Sequence, residues 1–384
     1  MLFVLALIFV LIFVLPDLYI SLVLMRGTTW WAHALLWLPT VVAIGLLLSI
    51  PVSGASNTKI SLFTGLLLCI ALPQLLFLIC SLIGQFFSLF LPHSTLNIFN
   101  AIGICVGVLI SIAMAYGVLF GWRTLTVRHV DLTFENLPPQ FEGYRLVHLS
   151  DMHVGSYGTD PRFLERVVQR VNEEKADIIL FTGDIINTAP QETAPFENVL
   201  SQLQAPDGVH SVLGNHDYCL YGVQRRFNNP REGSKEVIAA ERRMGWDLLL
   251  NEHRLIRRDS ASIAIVGVEN TGKPPFPQIG DLAGARVGIP DDAFQILLSH
   301  DPSHWRIEVL PDTDIPLMLA GHTHAMQFRI GHWSPASWMY DEWGGLYQQG
   351  KQMLYVSEGV GGSLPFRLGA TPEIIVLTLH AHTP

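Results

Sequence analysis

Apolar residues run almost without interruption through the first third of the chain and then break into short, alternating runs. Residues 2–24, 30–52, 60–91 and 98–120 are nearly all apolar, and about 20 such residues make a helix long enough to cross a bilayer. Polar breaks separate them at Arg26-Gly27-Thr28-Thr29, from Ser53 to Lys59, and at Leu91-Pro92-His93-Ser94. Trp30, Trp31 and Trp122 fall at the expected ends of these stretches, where indole rings favour the membrane interface. Residues 1–122 therefore read as a transmembrane region of four helices, with membrane lipid as its surroundings. The first stretch has no basic residue before it and no small-residue cleavage site after it, so it reads as a retained span rather than a signal peptide. The third is long for one crossing and is expected to tilt, to kink at Pro73 or to lie partly in the interface.

From residue 125 the pattern becomes strand-like. Residues 125–134 alternate, and later apolar runs end in polar clusters: Arg145 to Leu149 at Ser150-Asp151-Met152-His153, and Asp177 to Thr182 at Gly183-Asp184. Runs from Val209, Ile263, Phe294 and Ile315 end at Gly214-Asn215-His216-Asp217, Glu269-Asn270, Ser299-His300 and Gly321-His322-Thr323-His324. Residues 353–356 and 373–379 supply two closing strands. Asp160-Pro161 opens a helix whose Phe163, Leu164, Val167, Val168 and Val171 share one face. A second helix spans residues 234–244, with Ser234 as its cap and Gly245 as its stop. Residues 123–384 are thus expected to fold as a layered α/β sandwich with polar residues at strand ends, where open sheets bind ligands.

Charge follows the same division. Before Trp122 the only charged side chains are Asp17, Arg26 and Lys59, so the net charge of −9 comes entirely from the back of the chain. An acidic domain argues against nucleic acid as a partner, because phosphate-backbone binding relies on Lys and Arg. Four spans put both chain ends on one side of the membrane. That side carries Lys59, Arg123 and Arg128 against Arg26 on the other, which places the domain in the cytoplasm. Asp17 is a functional candidate by its depth. The blander expectation is that Pro16 bends the helix and Asp17 faces a headgroup, a neighbouring span or the soluble domain, because no other polar residue in the spans offers it a partner. The four cysteines, Cys69, Cys80, Cys105 and Cys219, form no disulfide or zinc-site pattern.

The polar clusters gather Asp, Asn and His without a thiolate. Mixed oxygen and imidazole donors suit Mn, Fe or Zn better than a soft metal or a pure calcium site. The glycines at 183, 214 and 321 let the backbone turn sharply where each strand stops. His148, His210 and His253 stand outside the clusters and read as structural.

The ordered series Asp151-x-His153, Gly183-Asp184, Gly214-Asn215-His216-Asp217, His300 and Gly321-His322-Thr323-His324 resembles the calcineurin-like metallophosphoesterase superfamily, over residues 143–380. The resemblance implies a two-sheet β-sandwich flanked by helices, holding two divalent metal ions. It gives the first ion Asp151, His153, Asp184 and His324, and the second Asp184, Asn215, His300 and His322, with Asp184 shared. His216 would be the unliganded catalytic histidine beside the phosphate, with Asp217 placed to orient it. Asp301 is a possible rival to His300. Two such cations lower the pKa of a shared water and neutralise charge on a phosphoryl group, and His216 can protonate the leaving oxygen.

Two flanking segments are candidates for specificity. Tyr218 to Arg231, with Tyr221, Arg225, Arg226 and Phe227, reads either as a phosphate clamp or as a solvated loop paired with Glu232 and Glu236. Trp333, Trp338, Met339, Tyr340, Trp343 and Tyr347 read as a lipid-accepting groove or a surface that rests on the membrane. The run from Gly361 to Gly369 is similar to the tail of membrane-linked bacterial members, among them UDP-diacylglucosamine pyrophosphatases. About 20 residues of tether after Trp122 keep the site near the bilayer. The expectation is a membrane-anchored, metal-dependent phosphoric ester hydrolase. It would cut a phosphodiester, pyrophosphate or phosphomonoester, by metal-activated hydroxide attack, on a phosphorylated, lipid-like substrate. Two alternatives stand beside it: an anchored phosphatase or phosphodiesterase of soluble substrates, and a catalytically retired, metal-stabilised receptor or complex subunit.

Overall fold

A computed structural model describes residues 2–53, 57–92, 94–221 and 229–382. The chain divides into two compact units, one of residues 1–121 with Leu364–Leu368, the other of residues 122–363 with 369–384. Arg225, Arg226 and Phe227 lie outside the described residues.

The first unit holds four apolar helical spans, Val4–Val23, Trp30–Ile50, Thr58–Ser88 and Ser94–Arg123. The first span runs through α1 (Leu2–Phe9), a π turn (Val10–Val14) and α2 (Leu15–Val23). The second is α3 (Trp30–Ser53). The third joins α4 (Asn57–Leu66) to α5 (Leu72–Ser88) through a second π turn, Leu67–Ala71, and the fourth is α6 (Ser94–Leu119). The irregularity expected at Pro73 is therefore a local widening of the helix just before the proline. Small residues let α5 and α6 approach closely, as helices in lipid require: a Cβ on Gly103 would lie 3.0 Å from Cys80 Cβ and from the Phe77 ring. Asp17 faces a neighbouring span, one of its expected settings, but the expected lack of a polar partner there is overturned. It is fully buried and accepts a hydrogen bond from Thr40 Oγ1 at 2.6 Å, so a polar partner does exist within the spans.

The second unit stacks two six-stranded sheets. In the first, β1 (Thr126–Phe134) pairs in parallel with β12 (Glu373–Ala381), and β12 lies antiparallel to β2 (Tyr144–Leu149). Parallel β3 (Ile178–Phe181), β4 (Val209–Ser211) and β5 (Asp247–Leu248) complete it. The second sheet runs β10 (Gly345–Gln349), β11 (Gln352–Val356), β9 (Leu317–Ala320), β8 (Phe294–Leu298), β7 (Ala261–Gly267) and β6 (Glu252–Arg258).

Alternation along the strands sorts side chains into layers. Leu146, Ile178, Leu180 and Leu377 of the first sheet meet Ile263, Ile265, Phe294, Ile296 and Leu317 of the second to form the sandwich core. Their neighbours Val147, Ile179 and Phe181 turn outward onto Phe163, Leu164, Val167 and Val168 of α7 (Arg162–Glu173). On the far side, Val266, Leu297, Met318 and Val356 pack against Trp305 and Val309. Each fully buried aliphatic side chain contributes about 1.5–3 kcal/mol of transfer free energy, which holds the parallel strand ends of both sheets in fixed places.

The helix Lys235–Arg243 begins where Ser234 was expected to cap it, but the Ser234 hydroxyl bonds to the Arg231 carbonyl instead. β5, β6 and β10, which the alternation pattern did not reveal, are all edge-side additions. The strand expected at 125–134 is β1 and pairs with β12 in the sandwich, so the tether is shorter than the roughly 20 residues expected.

Candidate metal centre

Five strands deliver the polar clusters to one region. Asp151 and His153 follow β2, Asp184 follows β3, Asn215 and His216 follow β4, His300 follows β8, and His322 and His324 follow β9. Backbone conformation aims them. Asp151, His153, Asp184, His322 and His324 have φ values of 54°, 43°, 59°, 73° and 50°. This left-handed region costs a residue with a Cβ about 1–2 kcal/mol, and such strain collects at functional sites.

Glycine serves here in two ways. Gly183, with φ 93°, makes the sharp turn expected of it. Gly214 and Gly321 instead give carboxylates room: a Cβ would come within 2.2 Å of Asp184 Oδ1 at position 214, and of Asp151 Oδ2 at position 321.

The converging atoms form two groups that share Asp184: Asp151, His153, Asp184 and His324, and Asp184, His300 and His322. In the first, His153 Nε2 lies 3.1 Å from His324 Nε2 and 3.6 Å from Asp184 Oδ2, and His324 Nε2 lies 3.3 Å from Asp151 Oδ1. In the second, His300 Nε2 lies 3.1 Å from Asp184 Oδ2, 3.1 Å from Asn215 Oδ1 and 3.2 Å from His322 Nδ1. Donors bound about 2.1 Å from one ion sit about 3.0–3.4 Å apart at octahedral to tetrahedral angles. All but the His153–Asp184 distance fall in that range, and Asp184 belongs to both groups. Asp151 and Asp184 are buried, and among the described residues only histidines form ion pairs with them. Buried carboxylates without Arg or Lys partners fit a cation-binding centre.

The electrostatics agree. Burial pushes Asp151 up to about 6, although His300 beside it pulls the other way. Burial also opposes ionisation of Asp184, but His300, His216 and His153 outweigh it and hold that carboxyl well below its ordinary range. Burial lowers His153 to about 3 and His322 to about 4, keeping both rings neutral as metal ligands must be. For His300, burial lowers and Asp184 raises, to about 10 on balance.

Two of the rings and the Asn215 amide are fixed through their second polar atom. His300 Nδ1 donates to the Thr182 carbonyl at 2.7 Å, which leaves Nε2 facing Asp184. His322 Nε2 bonds Tyr340 Oη at 2.8 Å, leaving Nδ1 toward His300. Asn215 Nδ2 donates to Tyr221 Oη at 3.2 Å, so its Oδ1 faces the cluster. Tyr340 and Tyr221 were visible only as aromatics in flanking segments, and the Thr182 carbonyl carries no side-chain signal at all.

His216 also belongs to this region: its ring centroid is 4.8 Å from that of His153. Its Nδ1 bonds the Asn187 carbonyl at 2.6 Å, so that carbonyl, and not Asp217, orients the ring. Asp217 instead accepts backbone N–H groups of Gly214, Asp184 and Ile185 at 2.8, 2.8 and 2.9 Å. It ties the loops after β3 and β4 together. Asp301 does not displace His300: it accepts from the Ser303 N–H at 2.9 Å and lies 4.0 Å from His322 Nε2. His148, His210 and His253 bond Thr182 Oγ1 and the Asp207 and Ala285 carbonyls, away from the two groups.

The family of calcineurin-like phosphoesterases matches residues 144–326, and the transmembrane domain described as that of a probable calcineurin-like phosphoesterase matches residues 1–122. An uncharacterized metallophosphoesterase of Bacillus subtilis, YkuE, is 32% identical over 71% of this chain and 94% of its own. A transmembrane protein with metallophosphoesterase domain from Danio rerio is 29% identical over 71% of this chain and 61% of its own. The UDP-2,3-diacylglucosamine pyrophosphatase LpxG of Chlamydia trachomatis is 26% identical over 63% of this chain and 86% of its own. With the ligand-like cluster at its strand ends and four spans before it, the chain belongs to the calcineurin-like metallophosphoesterases, metal-dependent phosphoric ester hydrolases, as an integral membrane protein.

Proposed function

We propose that this protein hydrolyses a phosphodiester, pyrophosphate or phosphomonoester of a lipid-like, amphiphilic substrate at the membrane surface. Asp151, His153, Asp184 and His324 would hold one divalent ion, and Asp184, Asn215, His300 and His322 the other. Mn, Fe or Zn suits this mixture of oxygen and imidazole donors. The chemistry such ions would supply is positive charge to polarise a phosphoryl group and to activate water. The chain's own part is positional. Thr182, Tyr340 and Tyr221 fix ligand geometry, Asp217 locks two ligand loops, and burial keeps competing water away. His216, anchored through Nδ1, keeps Nε2 to donate a proton to the leaving oxygen.

The observation that carries the amphiphilic reading is covalent. The fourth span ends at Arg123 and β1 begins at Thr126, so almost no chain separates membrane from catalytic sheet. Two further features support it. The segment after His324 exposes Ile330, Trp333, Trp338 and Met339, with Trp338 at 76%. Tyr340 and Tyr347 of the same segment instead turn inward, to His322 and to the Trp343 N–H. A cavity of about 420 Å³, lined by Arg128, Arg329, Trp343, Tyr347, Glu358 and Glu373, lies beside the same loop. Thr323, between two ligands, donates to the Trp343 carbonyl. The cavity suits a polar group remote from the cleaved bond. We place the domain on the cytoplasmic side.

The test is turnover by the purified full chain with Mn²⁺, comparing a bis-aryl phosphate with a phosphorylated diacyl lipid in mixed micelles. The micellar substrate should have the higher kcat/KM, and Asp184→Asn should abolish both activities. Equal or lower efficiency on the lipid would favour soluble substrates. Activity in Asp184→Asn equal to wild type would remove the two-ion reading.

A further inference from the structure

Three of the four spans repeat one short pattern, Leu-Pro followed by a hydrogen-bonding residue: Leu15-Pro16-Asp17, Leu38-Pro39-Thr40 and Leu72-Pro73-Gln74. The fold brings the third residue of each together. Asp17 is fully buried, and Thr40 is buried beside it with Oγ1 donating to Asp17 Oδ2 at 2.6 Å. Gln74 of the third span lies near the same carboxylate.

Proline accounts for the local irregularity. It lacks an N–H and displaces the carbonyl one turn earlier. Two of the three motifs follow π turns, Val10–Val14 and Leu67–Ala71, and these turns lie against each other. The carbonyl one turn before Pro73 belongs to Cys69, and Ser111 Oγ of the fourth span donates to it at 2.9 Å. Backbone polar groups at membrane depth persist only where protein groups satisfy them in this way.

Polar groups also lead away from Asp17. Ser21 lies one helical turn further along the same face. Its Oγ is 3.0 Å from Trp37 Nε1 and 3.2 Å from His33 Nδ1. His33 Nε2 in turn is 3.2 Å from Thr28 Oγ1, in the polar break between the first two spans. The strip runs from Asp17 to the end of the spans.

The carboxylate is left half-satisfied. Asp17 Oδ1 is buried and has no hydrogen-bond partner. No described Lys, Arg or His forms an ion pair with Asp17. The ionisable groups on the elements packed around it are Tyr19 on its own helix, His33 on the second span, Lys59, Cys69 and Cys80 on the third, and Cys105 and Tyr116 on the fourth. Tyr19 turns instead to Ser81 and Gln85, at 2.7 and 2.8 Å. An ionisable group placed this deep in a membrane bundle marks an ion or proton site by default, and here it has oxygen-bearing neighbours and a polar approach.

We infer that Asp17, Thr40 and Gln74 form an intramembrane site for a small exchangeable cation, a proton or a sodium ion, reached along the Ser21, Trp37 and His33 strip. A proton is taken up on Oδ1, the oxygen Thr40 does not use. A sodium ion draws on the carboxylate together with the Thr40 and Gln74 oxygens. The site is independent of the phosphoesterase reading and stands or falls without it.

The experiment treats the full-length protein, in detergent, with dicyclohexylcarbodiimide, which modifies protonated carboxyl groups in apolar surroundings. Adducts are located by peptide mass spectrometry across a range of pH, with and without NaCl. An adduct on Asp17, rising as pH falls and lost in Asp17→Asn, is the expected result. Protection by sodium at fixed pH identifies sodium as an occupant, whereas indifference to sodium identifies the proton alone. Should Asp17→Asn fail to fold, peptide mapping of the wild type still locates the adduct. Wild-type protein with a sharp thermal transition and no Asp17 adduct at any pH would overturn the inference.

Discussion

Tyr340 Oη lies 2.8 Å from His322 Nε2, which leaves Nδ1 as the nitrogen turned toward His300. Removing that hydroxyl frees the ring to rotate. Tyr340→Phe should weaken metal binding about 10–100-fold, the usual cost of losing such a partner, and a Mn²⁺ titration followed by calorimetry measures it. Gly321→Ala should do more damage, because its Cβ meets Ser150 Oγ and Asp151 Oδ2. Loss of metal binding together with a lower Tm is the expected outcome.

Glu241 offers a test through pH. It is fully buried, with Ser211 Oγ donating to one oxygen. Burial first, and then Asp217, raise its pKa well above the ordinary 4.5, against the pull of the Ser211 bond. The folded state therefore binds a proton that the unfolded state has released. Stability from this group is present below the unfolded pKa and is lost as pH rises toward the folded one. Glu241→Gln should raise Tm at neutral pH by about 2–4 °C for each kcal/mol recovered, and flatten Tm against pH. Superimposable curves for the two proteins would count against the argument.

At this scale the cluster was legible because each of its residues follows a hydrophobic run that must be a strand. Its supports were not, since Tyr340 reaches His322 from a loop and Thr182 and Asn187 act through carbonyls. The polar partner of Asp17 is hidden for the same reason: Thr40 belongs to a different helix.

Among elements, the strands that escaped sequence reading share a cause. β6 and β10 are the outer strands of the second sheet and β5 is an edge of the first. Exposure lets such strands be polar. β6 reads Glu-His-Arg-Leu-Ile-Arg-Arg and alternates little. The central strands, buried on both faces, showed plainly as apolar runs. Helix α7 was equally plain, since its five core-facing residues fall on one stripe. Leu164 is fully buried in that stripe. Leu164→Ala should lower unfolding free energy by about 2–5 kcal/mol, the range for core leucines, as measured by urea titration.

For the whole molecule, division into an apolar helical part and a sandwich could be read from composition alone. Alternation over residues 125–134 already marks the first strand, but not that it pairs with β12 as part of the sandwich itself. If the cluster binds ions as proposed, its strained backbones and buried carboxylates predict a stability that depends on them. Chelation should lower Tm of the sandwich, by an amount equivalent to about 4 kcal/mol where free metal had stood near a thousand times its Kd. An unchanged transition would mean that the cluster holds itself together.

Sheet order carries a final consequence, for biosynthesis. β12 lies between β1 and β2, although hundreds of residues of chain are made before it. The first strand of the sandwich cannot join its sheet until the last strand leaves the ribosome. The spans are synthesised first and can enter the membrane while the hydrolase is still open. A nascent chain stalled before Glu373 should thus be membrane-inserted yet protease-sensitive throughout its soluble part, and release of the final strand should confer resistance in one step.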